Sequence, residues 1–257
     1  MGFLRQMLVF ISPLPFFLVL ADGRCGISEQ KAGYHTGKSC GREVVQMQLK
    51  WLGHACFLLT TREGTKIVTD PFDATVGYPL PQVVPDIVTV SHQHFDHNAV
   101  GVLKGNPTVV EGTGARQIKG VNIRGIATFH DKKQGAERGP NTVFVIEADG
   151  ITVCHLGDLG HPLDGRKLQE IGPVDVLLVP CGGTYTIDAD EAAALVKAMK
   201  PRVAVPMHYK TEYLKFPITP VDNFLRHFPA AERRTLLELS PDNLPAPTAV
   251  VVLDLSR

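Results

Sequence analysis

At 257 residues, with 44% hydrophobic and 20% charged residues, the chain has ordinary globular composition and room for one sizeable domain or two small ones. Its 26 basic residues equal its 26 acidic ones, so no global field draws it to nucleic acid or anionic lipid, and no long run of one charge does so locally. Five cysteines, odd in number and without a C-x-x-C pair, indicate neither a disulfide framework nor a structural zinc knuckle.

The first 46 residues stand apart from the rest. Arg5 precedes an apolar stretch from Met7 to Ala21, which is short for a bilayer span but has the length and flanking charge of a secretory signal. Pro13 and Pro15 interrupt it and no small-x-small site ends it, so a second reading stands beside export: an upstream extension of a cytoplasmic protein that begins at Met47. Neither reading includes a stable membrane span. The segment up to Val45 is Gly-rich and without pattern, and reads as a linker or as non-native translation.

From Met47 onward short β-type runs dominate. Strands are predicted over 48–52, 56–60 and 66–69, separated by the turn signals Gly53-His54 and Glu63-Gly64. The run 86–90 is apolar and β-branched and leads straight into a histidine-rich segment. Further strands are predicted over 108–110, 121–129, 142–147 and 151–156, the last two joined by an Asp149-Gly150 hairpin turn. Residues 174–179 and 202–205 read as buried strands, and 248–255 as the closing one. Cys56, Cys154 and Cys181 fall in such runs and read as buried, inert thiols. Two helices are predicted: 188–200, with an acidic first turn and an Ala/Leu/Val stripe that Pro201 stops, and a shorter one over 220–227. Many strands, few helices and no repeat predict packed sheets with helices outside, in one domain over 47–257.

Chemistry concentrates in Ser91-His92-Gln93-His94-Phe95-Asp96-His97. His92 and His94 sit at i and i+2, which on an extended backbone points both imidazoles to one side, where one ion can take both. Asp96 and His97 turn onto the following loop and can serve a second ion nearby. The bland alternative is a solvated loop with chance histidines. Three histidines and an aspartate in six residues, directly after a buried strand, argue against it. More ligand-type residues follow other predicted strands: His130 after 126–129, Asp158 in His155-Leu156-Gly157-Asp158, and His208 in Pro206-Met207-His208-Tyr209. His155 is left out because on a regular strand it points opposite to Leu156 and Asp158.

The H-x-H-x-D-H run, the later histidine, the Gly157-Asp158 pair and the final histidine resemble the metallo-β-lactamase superfamily. Trp51-Leu52-Gly53-His54-Ala55, Thr69-Asp70-Pro71-Phe72, Gly139-Pro140-Asn141-Thr142 and Pro206-Met207-His208-Tyr209 are similar to a branch of metal-dependent hydrolases related to ascorbate-phosphate lactonase. A more distant similarity is to the phospholipase D that hydrolyses N-acyl phosphatidylethanolamines. The resemblance covers about residues 47 to 255. It implies an α/β fold, the four-layer αββα sandwich, with a metal site at one edge of the two sheets. It also implies that His92, His94 and His130 hold one divalent ion, that Asp96, His97 and His208 hold another, and that Asp158 bridges them. Asp96, His97 and Asp158 are then the catalytic residues. A water between the ions loses its proton near neutral pH and attacks an ester, lactone or phosphoester of a small-molecule substrate. Zinc suits such a nitrogen-rich set, with manganese, iron or nickel as alternatives.

Around these residues, His54 and Asp70 are candidates to orient a ligand, although Asp70 also suits a turn cap before Pro71. His161 follows Gly160 toward the site, Tyr185 ends a tight Cys181-Gly182-Gly183-Thr184 loop, and Tyr209 and Lys210 beside His208 could meet an anionic group. Three rival functions are weaker. Flavodiiron redox proteins of the same fold carry a carboxylate where this chain has His94, and a flavin-binding partner segment that is lacking here. An inactive metal-binding protein is disfavoured by the presence of all seven ligand-type residues. A nucleic-acid processing nuclease is disfavoured by the neutral charge and the lack of an appended substrate-binding domain. The loops 72–82 and 135–139 carry no legible specificity code, and a homo-oligomer is left open.

Overall fold

Alternation builds the first strand: Met47, Leu49 and Trp51 are buried, while Gln48, Lys50 and Leu52 between them are half exposed. The computed structural model describes residues 46–256, so the reading of the first 45 residues as signal or extension lies outside the described residues. In chain order the strands are β1 (Met47–Gly53), β2 (Cys56–Thr60), β3 (Lys66–Thr69), β4 (Ile87–Val90), β5 (Thr108–Glu111), β6 (Gly114–Ile118) and β7 (Val121–Phe129). They continue with β8 (Pro140–Ala148), β9 (Ile151–His155), β10 (Val176–Pro180), β11 (Val203–Met207), β12 (Glu232–Arg234), β13 (Leu237–Leu239) and β14 (Ala249–Leu253). The helices are α1 (Gly165–Ile171), α2 (Ala189–Met199) and α3 (Asp222–Leu225).

Two sheets form, one ordered β13-β1-β2-β3-β4-β5 and the other β12-β14-β11-β10-β9-β8-β7-β6. Hairpins open each half, and parallel pairing follows: β3, β4 and β5 in the first sheet, and β9, β10, β11 and β14 in the second. Parallel strands covered on both faces read as unbroken apolar runs, and every residue of β4, β10 and β11 is buried. Both sheets contribute to one core, which includes Phe57, Leu59 and Ile67 from the first and Phe144, Ile146 and Leu178 from the second. The helices follow strands of the second sheet; α2 packs on β10 and α3 on α2. This is the α/β sandwich that the resemblance implies. No helix among the described residues is long and apolar enough to cross a membrane.

Local signals account for much of this. Asp149 and Gly150 both take positive φ, 56° and 76°, as a two-residue hairpin of the favoured hand requires. α2 starts with a reciprocal cap, Asp188 accepting from the Glu191 N–H and Glu191 from that of Asp188, and ends at Lys200 before Pro201. The helix predicted over 220–227 shrinks to α3, because the bonds from Phe224 to Val221, His227 to Phe224 and Phe228 to Leu225 are three-residue turns. The strand predicted over 202–205 instead runs to Met207, with Pro206 placed opposite Val179. Cys56, Cys154 and Cys181 are free and buried, as expected.

Candidate metal centre

Strand ends converge on one edge of the sandwich. His54 follows β1, Asp70 follows β3, Ser91 and His92 follow β4, His130 follows β7 and His208 follows β11, while Asp158 lies three residues beyond β9. Three of these residues turn the chain sharply in the left-handed region: His54 at φ 53°, Asp70 at 40° and His208 at 50°. Such backbones cost about 1–3 kcal/mol each and persist only where neighbours fix them. Here the His54 carbonyl accepts from Trp51 Nε1 at 2.9 Å and from the His208 N–H at 3.3 Å, and the Asp70 N–H donates to Thr89 at 2.9 Å.

The predicted ligands assemble in two groups. One ligand atom each of His92, His94 and His130 lies within 4.8 Å of the others, and the same holds for His54, Asp96, His97 and His208. Asp158 stands between the groups. Its Oδ2 is 3.2 Å from Nε2 of both His130 and His208 and 3.9 Å from that of His92, and its Oδ1 is 3.2 Å from His97 Nε2. His54, expected only to orient a ligand, is gathered into the second group, and its Nε2 lies 3.2 Å from Asp96 Oδ2.

A network beneath sets the ring tautomers. Asp70 accepts from the Ser91 N–H at 2.8 Å, from Ser91 Oγ at 2.5 Å and from His97 Nδ1 at 2.9 Å. With the Ser91 proton committed to Asp70, His92 Nδ1 donates to Ser91 Oγ at 2.9 Å. Both histidines therefore turn Nε2 toward Asp158. Asp70→Ala is expected to weaken metal binding about 10- to 100-fold by freeing His97 to rotate; competition against a chromophoric chelator measures it, and wild-type affinity in the variant would contradict this role.

The electrostatics favour ligand forms at most positions. Burial, reinforced by His97, pushes His92 down to about 3, and burial with His208 nearby pushes His54 down to about 4. Burial and His130 also lower His94. Neutral imidazole is the form that binds a metal. Burial alone would raise Asp158, but His208, His97 and His130 outweigh it and hold the carboxylate well below its ordinary range. Burial likewise opposes the charge of His97, yet Asp158, Asp96 and Asp70 raise it well above the ordinary imidazole value.

Whether these residues suit a metal is answered by what they lack. His92 Nε2, His97 Nε2, His130 Nδ1, His208 Nδ1, His54 Nδ1 and Asp158 Oδ1 are all buried without a hydrogen-bond partner. Each such atom costs about 1–3 kcal/mol. Of these, His92 Nε2 and His97 Nε2 face Asp158, whose Oδ1 is itself unpartnered; a divalent cation is a common partner for imidazole nitrogens and a carboxylate, so the donor set fits.

Glycines make the approach possible. A Cβ on Gly157, itself at φ 55°, would fall 2.4 Å from Asn141 Oδ1 and 2.6 Å from Ser91 Cβ. On Gly160 it would fall 2.2 Å from the carbonyl carbon of His130, which as backbone cannot yield. Gly160→Ala is expected to destabilise the protein by about 1–3 kcal/mol, read as a lower melting temperature; an unchanged melt would show that the strand end is free to shift.

Other predicted residues lie elsewhere. His155 donates from Nε2 to the Ala55 carbonyl at 2.8 Å, tying the two sheets together, and stays out of the site as expected. His161 is turned away, its Nε2 accepting from the Phe129 N–H at 3.3 Å. Tyr209 is buried against Trp51 and Lys210 donates to the Phe216 carbonyl at 2.9 Å, so neither meets a ligand in the site. Tyr185 does reach it. A cavity of about 310 Å³ opens over His94, Asp96 and Asp158, walled by Phe95, Tyr185 and Phe216. That volume is at the small end for ligand sites. Phe216 gave no sequence signal, since it comes from a loop distant in the chain.

The family model for the beta-lactamase superfamily domain matches residues 48–208. The chain belongs to the metallo-β-lactamase superfamily. Within it, the relatives are metal-dependent hydrolases, and this chain is a member of that family. The UPF0173 metal-dependent hydrolase of Methanoregula boonei is 36% identical over 192 residues, covering 64% of this chain and 83% of the relative. That of Thermoplasma acidophilum is 34% identical over 191 residues, with 64% and 84% covered. Among solved structures, a protein from Thermotoga maritima described as a Zn-dependent hydrolase of the metallo-β-lactamase superfamily superimposes with a TM-score of 0.69. It is 50% identical and covers 80% of this chain and 98% of its own. The span that matches the family model holds every candidate ligand, from His92 to His208.

Proposed function

We propose that this hydrolase holds two divalent ions and cleaves an ester, lactone or phosphoester bond of a small molecule, with residues 47–257 as the hydrolase domain. His92, His94 and His130 are assigned to one ion, Asp96, His97 and His208 to the other, and Asp158 to both. The observation that carries this is the place of Asp158, whose two oxygens lie within 3.2–3.9 Å of ring nitrogens from both groups. Two ions held there supply Lewis acidity and make a water acidic near neutral pH. The nitrogen-rich set suits zinc, with manganese, iron or nickel as alternatives.

The remaining work falls to the chain. Asp96 and Asp158 line the cavity at its reacting end, and His97 is fixed beneath them by Asp70. His54 holds one Asp96 oxygen at 3.2 Å. In the net reaction the oxygen of water bonds to the carbonyl carbon or phosphorus, the bond to the leaving oxygen breaks, and a proton ends on that oxygen. A panel of aryl esters, lactones and phosphodiesters tests the reading with metal-loaded wild type and Asp96→Ala. Turnover of at least one class, lowered about 100-fold or more by the substitution, is expected; equal turnover by both proteins would sink the assignment.

A further inference from the structure

Directly after His130, the Asp131 carboxylate organises a loop. Oδ1 accepts from the N–H groups of Lys133 at 2.7 Å and Gly135 at 2.9 Å, and Oδ2 from those of Glu137 at 3.0 Å and Arg138 at 2.8 Å. The loop closes where the His130 N–H donates to the Gly139 carbonyl at 3.1 Å. Its backbone is thereby fixed to the same strand end that supplies a candidate ligand.

What the loop presents is Arg138. The side chain is half-buried, its guanidinium lies 5.1 Å from the centre of the Tyr185 ring, and it lines the cavity over Asp158. Among the described residues it has no hydrogen-bond or ion-pair partner on that guanidinium. It also borders a neighbouring cavity of about 410 Å³ that Glu111 lines, where a carboxylate repels an anion. The side over Asp158 is different: two dications more than offset the carboxylates of Asp96 and Asp158, and Phe95, Tyr185 and Phe216 wall the space between. A guanidinium fork without a partner matches a carboxylate or phosphate with two parallel hydrogen bonds, and stacking on an aromatic face keeps it in place meanwhile.

We propose that the substrate is a small organic anion whose charged group pairs with Arg138, while its scissile bond lies over Asp158 and its intervening carbons pack on Phe95, Tyr185 and Phe216. This rests on the hydrolase reading above and adds to it the charge of the substrate. The shared chemistry is a terminal oxyanion, supplied by a carboxylate or a phosphate.

Calorimetry on the zinc-loaded full chain tests it with matched acids: butanoate, pentanoate and hexanoate against succinate, glutarate and adipate. Each pair differs only in a second, distal carboxylate. At the best length the diacid is expected to bind at least about tenfold more tightly than its partner, since one charge-assisted pair is worth about that much. That ratio falls toward one in Arg138→Gln and is partly kept in Arg138→Lys. A phosphonate in place of the distal carboxylate shows which oxyanion is preferred. A ratio near one for every pair in the wild type, or a ratio that survives Arg138→Gln, overturns the inference while zinc binding stands. Failure of the chain to retain either zinc or manganese overturns the two-ion reading and this inference together.

Discussion

Asp158→Asn is expected to reduce bound metal to less than one ion per chain and to lower kcat/KM at least about 10³-fold. The residue sits 3.2 Å from ring nitrogens of His97, His130 and His208, so a single substitution reaches both groups. A unit pair at about 4 Å is worth about 4 kcal/mol at an effective dielectric of about 20, and about 4 kcal/mol corresponds to about 10³ in rate. A dication doubles the charge on one side, so 10³ is a lower bound. The amide preserves volume and leaves the core intact, so the variant should melt cooperatively. A folded Asp158→Asn protein with wild-type metal content would show that the carboxylate does not bridge.

Metal loading is expected to raise the melting temperature by about 5–11 °C. Nε2 of His92 and of His97, with Asp158 Oδ1, is buried without a hydrogen-bond partner, and a ligand that satisfies these atoms binds only the folded chain. At a free metal concentration about 100 times Kd, linkage gives about 2.7 kcal/mol, and each kcal/mol shifts a domain of this size by about 2–4 °C. A chelator should reverse the shift. Coincident melts with and without zinc or manganese would mean that the cluster is satisfied in some other way.

Much of this site was legible because it is local. The run from His92 to His97 declares itself by spacing, and the buried, β-branched strand before it tells which end of the strand it occupies. The same logic found His130, Asp158 and His208, each just beyond an apolar run, and parity along β9 excluded His155. Asp149-Gly150 and the Asp188–Glu191 cap were readable because turn and cap chemistry depend on residue type at fixed offsets.

What escaped was chemistry without such offsets. β6 has four exposed residues of five and β12 is exposed throughout, so edge strands offered no alternation to detect. α1 buries only Ile171, too little for a helical stripe. The Asp131 loop is held by backbone N–H groups, which leave no signature at positions 133–138, and Arg138 lay in a loop, 135–139, without a legible specificity code. His54 was legible as a residue that could orient a ligand, but which ligand was not: only the fold brings it beside Asp96 and His208. Tyr209 and Lys210 failed in the opposite way: their neighbour His208 faces the site, but the turn at His208 directs them into Trp51 and the Phe216 carbonyl.

The most direct test is native mass spectrometry of the full chain after zinc loading and removal of excess metal. Two ions per chain, and a loss of occupancy in both His130→Ala and His208→Ala, is the result expected from two groups joined by Asp158. Fewer than about one ion per chain after loading with either zinc or manganese would contradict it.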